Sequence, residues 1–202
     1  MTSNNDIYLT IKEPAKGEFK DKGSKFLSFI YPAENESQIQ NIQKDLRKQY
    51  FDARHHVYAY RLGADGNTMK SSDDGEPSNS SGPPVLGQIR SYNLTQVLVV
   101  VVRYFGGTKL GVPGLIHAYK TAAKEAIENA VIVERVIELH FCIKYEYVHT
   151  NEIMRIVKAE NARITSQTSD SQCMLHVAVP RSRAAMVLAK FEATRKVTIL
   201  ED

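Results

Sequence analysis

Six consecutive aliphatic residues, Val97 to Val102, stand out from an otherwise mixed chain and predict a strand buried on both faces. Elsewhere the apolar positions recur with a period near two or near 3.6. Ile7–Ile11 and Lys25–Tyr31 read as strands, the second closed by Pro32. Ile39, Ile42 and Leu46 fall at helical spacing behind a capping Asn35 or Ser37 and predict a helix to about Gln49. His56–Leu62 alternates as a strand, and the Gly63 to Asn67 segment reads as a turn. A short helix, Val85–Tyr92, leads into the central strand. A longer helix runs from Leu115 to Asn129, where Ala118, Ala122, Ala123 and Ala126 allow close packing.

From Val136 the pattern changes character. It predicts a strand Val136–Tyr147, a helix Asn151–Ala159 and a strand Arg163–Gln167, then a turn at Ser169-Asp170-Ser171. A strand Gln172–Pro180, a helix capped by Ser182 and running to Thr194, and a strand Val197–Leu200 complete the chain. The order β-α-β-β-α-β is that of a ferredoxin-like sandwich. The fold class is therefore read as α+β in two domains, residues 1–135 and 136–202, with no flexible linker between them.

No run approaches the roughly 20 apolar residues needed to cross a bilayer, and the polar start, Met1 to Asp6, lacks a signal peptide's basic and apolar regions. A cytoplasmic protein with no membrane partner is expected. The formal charge is +3, with 17 basic and 15 acidic residues up to position 136 and 9 and 8 beyond it. That balance permits nucleic-acid contact without requiring it. Cys142 and Cys173 have no metal-ligand spacing, and both are expected in strands as buried small hydrophobes. Neither a metal nor a cofactor is expected.

Candidate chemistry centres on the end of the aliphatic strand, where Arg103, Tyr104 and Phe105 precede Gly106, Gly107, Gly111 and Gly114. Backbone amides freed by glycines, a helix N-terminus, and the charges of Arg103 and Lys109 suit an anion. The Gly-Lys-Ser/Thr ending of a phosphate-binding loop and the Gly-x-Gly-x-x-Gly spacing of a dinucleotide site are both missing. A tight turn needed for packing is the competing explanation. Ser71–Pro84 is polar, rich in Gly and Pro and without period, as in a functional or disordered loop. Its Asp73, Asp74 and Glu76 could hold a cation, act as acid and base, or simply cap and solvate the loop. His55 and His56 point to opposite faces of a strand and cannot readily share a metal. Lys16, Lys20, Lys22 and Lys25, interleaved with Phe19 and Phe26, suit either phosphate contact or a lysine-guarded edge strand.

Three groups of residues together resemble the YigZ/IMPACT family. They are Lys22-Gly23-Ser24-Lys25-Phe26; Ala53-Arg54-His55-His56-Val57-Tyr58-Ala59-Tyr60-Arg61; and Ser72-Asp73-Asp74-Gly75-Glu76-Pro77 with Val102-Arg103-Tyr104-Phe105-Gly106-Gly107-Thr108-Lys109-Leu110-Gly111. One departure follows Pro77, where the family commonly continues Gly-Thr-Ala-Gly and this chain has Ser78-Asn79-Ser80-Ser81-Gly82. The resemblance implies a first domain like the second domain of a small-subunit ribosomal protein, with a left-handed βαβ connection. It also implies a ferredoxin-like tail, the pair being similar to the last two domains of elongation factor G.

The expected function is a non-enzymatic, translation-linked regulator that contacts RNA or the ribosome. Lys25, Arg103, Gly106, Gly107, Lys109 and Gly111 would form the nucleic-acid or anion surface. His55, Asp73, Asp74, Gly75 and Glu76 would shape it. The alternative is a hydrolase or phosphoryl-transfer enzyme with the glycine loop as anion site and His55 or Asp74 as acid–base. A third expectation is a protein partner on the sheet of the C-terminal domain.

Overall fold

The computed structural model describes residues 6–169 and 172–201, so Asp170 and Ser171 of the predicted turn, and Met1 to Asn5, lie outside the described residues. The chain divides into two compact units. Residues 8–135 form one, and residues 136–202 form the other together with the segment ending at Ile7.

In the first unit, strands β1 (Ile7–Ile11), β2 (Ala15–Asp21) and β3 (Ser24–Pro32) precede helix α1 (Glu36–Gln49). Then come β4 (His55–Leu62), β5 (Thr68–Ser72), α2 (Gly82–Ser91), β6 (Val97–Tyr104), α3 (Gly111–Glu128) and β7 (Ile132–Val136). The main sheet has the order β2-β3-β6-β4-β5 with every neighbour antiparallel, while β1 pairs with β7. Because β3 and β4 both run opposite to β6, they run parallel to each other, and α1 is the crossover between them.

The aliphatic strand sits at the centre of this sheet. Val97, Val99 and Val101 join the core that includes α2 and α3, whereas Leu98, Val100 and Val102 join the core on the α1 side. Each such side chain contributes about 1.5–3 kcal/mol by leaving water, so β6 anchors the unit. The alternation also places Arg103 on the α2/α3 side, in register with Phe26 of β3 and His55 of β4.

Helix α1 starts where the sequence indicates, with the Asn35 side chain accepting from the Gln38 amide at 2.9 Å. Helices α2 and α3 begin three and four residues earlier than expected, at Gly82 and Gly111. Prolines caused both differences. Pro83, Pro84 and Pro113 fit a first turn, where no intrahelical N–H is required. The loop after β6 therefore shrinks to residues 105–110, and the unpatterned stretch after β5 shrinks to residues 73–81.

The second unit contains β8 (Glu138–Tyr145), α4 (Thr150–Ala159), β9 (Arg163–Ser169), β10 (Cys173–Pro180), α5 (Arg181–Ala193) and β11 (Val197–Glu201). Its antiparallel sheet has the order β11-β8-β10-β9, with Phe141, Ile143, Leu175, Val177, Ile153, Val187 and Phe191 in one core. The expected long first strand breaks at Ile137, whose N–H donates to the Asp6 carbonyl and whose carbonyl accepts from Arg181. Ser182 does not cap α5. It lies in the first turn, where its amide donates to both carboxylate oxygens of Asp6, at 2.8 and 3.0 Å. Cys142 and Cys173 are both buried. Among the described residues, no helix is long and apolar enough to cross a membrane, and no His/Cys/Asp/Glu cluster could hold a metal ion.

Candidate nucleic-acid interface

At the end of β6 the structure brings together residues far apart in sequence. The Arg103 guanidinium donates through Nη1 to Glu76 Oε1 at 2.7 Å, and the Tyr119 hydroxyl of α3 donates to the same oxygen at 2.7 Å. The Arg103 and Glu76 side chains are only 7% and 4% exposed, so the pair is enclosed. Burial, followed by the Glu76 charge, pushes the Tyr119 phenol well above its usual range and keeps it a donor. The sequence placed Arg103 on the surface as a phosphate contact. Its charge is instead matched internally, and its guanidinium lies 5.5 Å from the Phe26 ring centroid and 5.7 Å from that of Phe105.

The acidic loop is equally engaged. Asp73 accepts from the amides of Asn79, Ser81 and Gly82 at 2.8, 3.0 and 2.8 Å and from the Ser81 hydroxyl at 2.7 Å. It thereby supplies the cap that α2 lacks from its own Ser81. Burial opposes ionisation of Asp73, but these hydrogen bonds outweigh it and hold its carboxyl below the usual range. Asp74 spans α1 and β4, accepting from Arg47 at 2.7 Å and from the His56 amide at 2.6 Å. Its carbonyl lies 2.8 Å from His55 Nδ1. A carbonyl only accepts, so Nδ1 carries the proton there. Both carboxylate oxygens of Asp74, and Nδ1 of His55, are thus engaged in structural bonds.

His56 is 5% exposed, and neither ring nitrogen has a hydrogen-bond partner. Burial, then the Arg47 charge, lowers its pKa from 6.5; Asp74 and the carbonyls of Leu46 and Tyr50 only partly oppose this. A folded-state pKa below the unfolded one gives stability that is complete above about pH 6.5 and lost as pH falls through the folded value. Between pH 7 and pH 5, wild type should lose up to about 1.4 kcal/mol per pH unit relative to His56→Leu. Urea midpoints across that range check this, and parallel curves would contradict it.

The loop after β6 is the exposed part. Gly106 packs against the β2–β3 turn, and its N–H donates to Ser24 Oγ at 3.2 Å. The sequence offered that amide to an anion; Ser24 already occupies it. Gly107, at φ +88°, and Lys109 are exposed, as are Gly111 and the Phe105 ring, the last at 58%. Lys25 shares Glu18 with Lys20 in surface ion pairs of 3.0 and 2.7 Å, which contribute little in water. Lys22, Arg54 and Lys109 are exposed and make no ion pair among the described residues.

A cleft of about 440 Å³ lies beside this tip, lined by Asp52, Ala53, Arg54, His55, Arg103, Tyr104 and Phe105. On its wall the Tyr104 hydroxyl donates to Asp52 at 2.8 Å, and burial followed by that bond pushes the phenol up to about 12. Sequence reasoning did not single out Tyr119, Ser24, Arg47 or the exposure of Phe105. The strand parity that puts Arg103 beside Val101 and Val99 was the available signal for its burial.

Residues 22–127, which contain both the buried network and the exposed tip, match the Impact N-terminal domain. The IMPACT family member YvyE of Bacillus subtilis (strain 168) is 36% identical over 128 residues, covering 63% of this chain and 59% of that protein's length. The IMPACT family member YigZ of Escherichia coli (strain K12) is 28% identical over 171 residues, covering 84% of each chain. A crystal structure described as that of a hypothetical protein matches 98% of both chains at 26% identity, with a TM-score of 0.74. The match spans more than half of the 202 residues, and the chain belongs to the IMPACT family.

Proposed function

We propose that this chain is a non-enzymatic, translation-linked regulator that contacts RNA or a ribosomal surface through the tip at residues 105–110. The observation that carries the reading is the set of exposed cations without ion pairs among the described residues, Lys22, Arg54 and Lys109, around an exposed loop. Lysine and arginine at such a surface neutralise phosphates and release counterions. Gly107 and Gly111 let backbone approach the ligand, the second at the positive end of α3. Lys25 adds charge at the rim. Arg103, Gly106 and the 73–76 loop act by holding that surface in place.

The translation-linked, cytoplasmic setting rests on the family resemblance. On the same basis we read the first unit as related to the second domain of a small-subunit ribosomal protein, with a left-handed βαβ connection. We read the second as ferredoxin-like and the pair as similar to the end of elongation factor G. Strand β9, exposed at every position from Arg163 to Ser169, favours an additional protein partner on the C-terminal sheet.

The test is the affinity for a single-stranded RNA of wild type beside the triple variant Lys22→Ala, Arg54→Ala, Lys109→Ala. Three lost phosphate neutralisations should weaken binding about a hundredfold near ~0.1 M salt. Equal affinity in the two proteins would overturn the assignment.

A further inference from the structure

The tip presents an aromatic ring as well as charge. Phe105 is 58% exposed, yet it is not a loose side chain, because the Arg103 guanidinium stands 5.7 Å from its centroid and 5.5 Å from that of Phe26. Glu76 fixes the guanidinium in turn, at 2.7 Å. The ring is thus backed by a buried cation, with the rest of its surface open on the cleft.

The cleft is also lined by Arg54, which makes no ion pair among the described residues, and by His55, whose Nδ1 is committed to the Asp74 carbonyl. The ring's remaining polar atom is Nε2. Asp52 accepts the Tyr104 hydroxyl through Oδ1 alone among its oxygens. A volume of about 440 Å³ lies in the lower part of the range for small-ligand sites. An aromatic face, an exposed cation and a few fixed polar groups in such a space match the needs of one nucleotide.

We infer that the cleft seats one unpaired nucleotide of a single-stranded RNA, with its base against Phe105 and its phosphate on Arg54. This rests on the proposed RNA contact and narrows it to unpaired strand. In an A-form duplex the base faces are covered by their stacked neighbours, leaving the Phe105 ring no face to meet. An unpaired base exposes its face and stacks without requiring a particular sequence.

Fluorescence anisotropy with a single-stranded oligonucleotide and a fully paired hairpin of equal phosphate count tests the inference. The single strand should bind about tenfold more tightly, the scale of one stacked base. Phe105→Ala should abolish that preference while leaving the salt dependence unchanged, and Phe105→Tyr should retain it; unchanged thermal unfolding of both variants keeps the comparison free of folding defects. Equal binding of the two RNAs, unaffected by Phe105→Ala, would overturn the nucleotide seat and leave the charged-tip reading standing. If wild type binds neither RNA, both readings are overturned.

Discussion

Glu76→Ala should cost about 3–5 kcal/mol of folding stability, because it strands a buried charge. Among the described residues Arg103 has no other carboxylate in reach; beyond Glu76 its one hydrogen-bond partner there is Ser24 Oγ, at 3.5 Å. The substitution also removes the acceptor of the Tyr119 hydroxyl, a group that is fully buried. A guanidinium that cannot lose its proton must then either stay unpaired in the core or drag water into it. Replacing both partners with apolar residues, Glu76→Leu with Arg103→Met, should recover much of the loss, since the penalty belongs to the orphaned charge rather than to the absent pair. Urea unfolding of the two single variants and the double variant measures this. A loss below about 1 kcal/mol in Glu76→Ala would show that the enclosure is not felt energetically.

Gly106→Ala should cost about 3 kcal/mol, at the upper end for overpacking. A Cβ there would lie 1.8 Å from the Gly23 carbonyl carbon and 2.1 Å from the Ser24 nitrogen. Both neighbours are backbone, so no rotamer change relieves the clash. The β2–β3 turn and the loop after β6 must separate, breaking the Ser24–Gly106 hydrogen bond and loosening Arg103. Gly107→Ala is the control. Nothing lies within 4 Å of its added methyl, and the cost is confined to a φ of +88°. That strain is about 1–2 kcal/mol. Denaturation midpoints of the pair check this, and equal losses would contradict the close approach at Gly106.

The physics that made parts of this fold legible is local or periodic. A run with no polar residue has one stable location, the middle of a sheet covered on both faces, and Val97 to Val102 lie there. Asn35 caps α1 through a bond to the residue three positions on, within reach of sequence reasoning. The succession of elements in residues 136–202 follows from period alone. Strand β5 was invisible because Thr68-Met69-Lys70-Ser71-Ser72 has no apolar alternation; it is a strand because β4 offers it a partner.

The site was harder to read for the same reason. Asp73, Asp74, Glu76 and Arg103 stand out in the sequence by charge and setting, but charge alone does not reveal whether a group faces water or a partner. Glu76 meets Arg103 at a separation of 27 residues and Tyr119 at 43. No window along the chain contains both ends of either bond. The motif's carboxylates are committed to partners within the fold, whereas Lys109, Arg54, Lys22 and Phe105 are exposed.

The decisive measurement is the dependence of single-stranded RNA affinity on salt, taken for wild type and for the variant lacking Lys22, Arg54 and Lys109 side-chain charges. If these cations neutralise phosphates, the logarithmic slope should be shallower in the variant by about 2, at about 0.7 per charge. Parallel slopes would show that the tip does not meet the phosphate backbone.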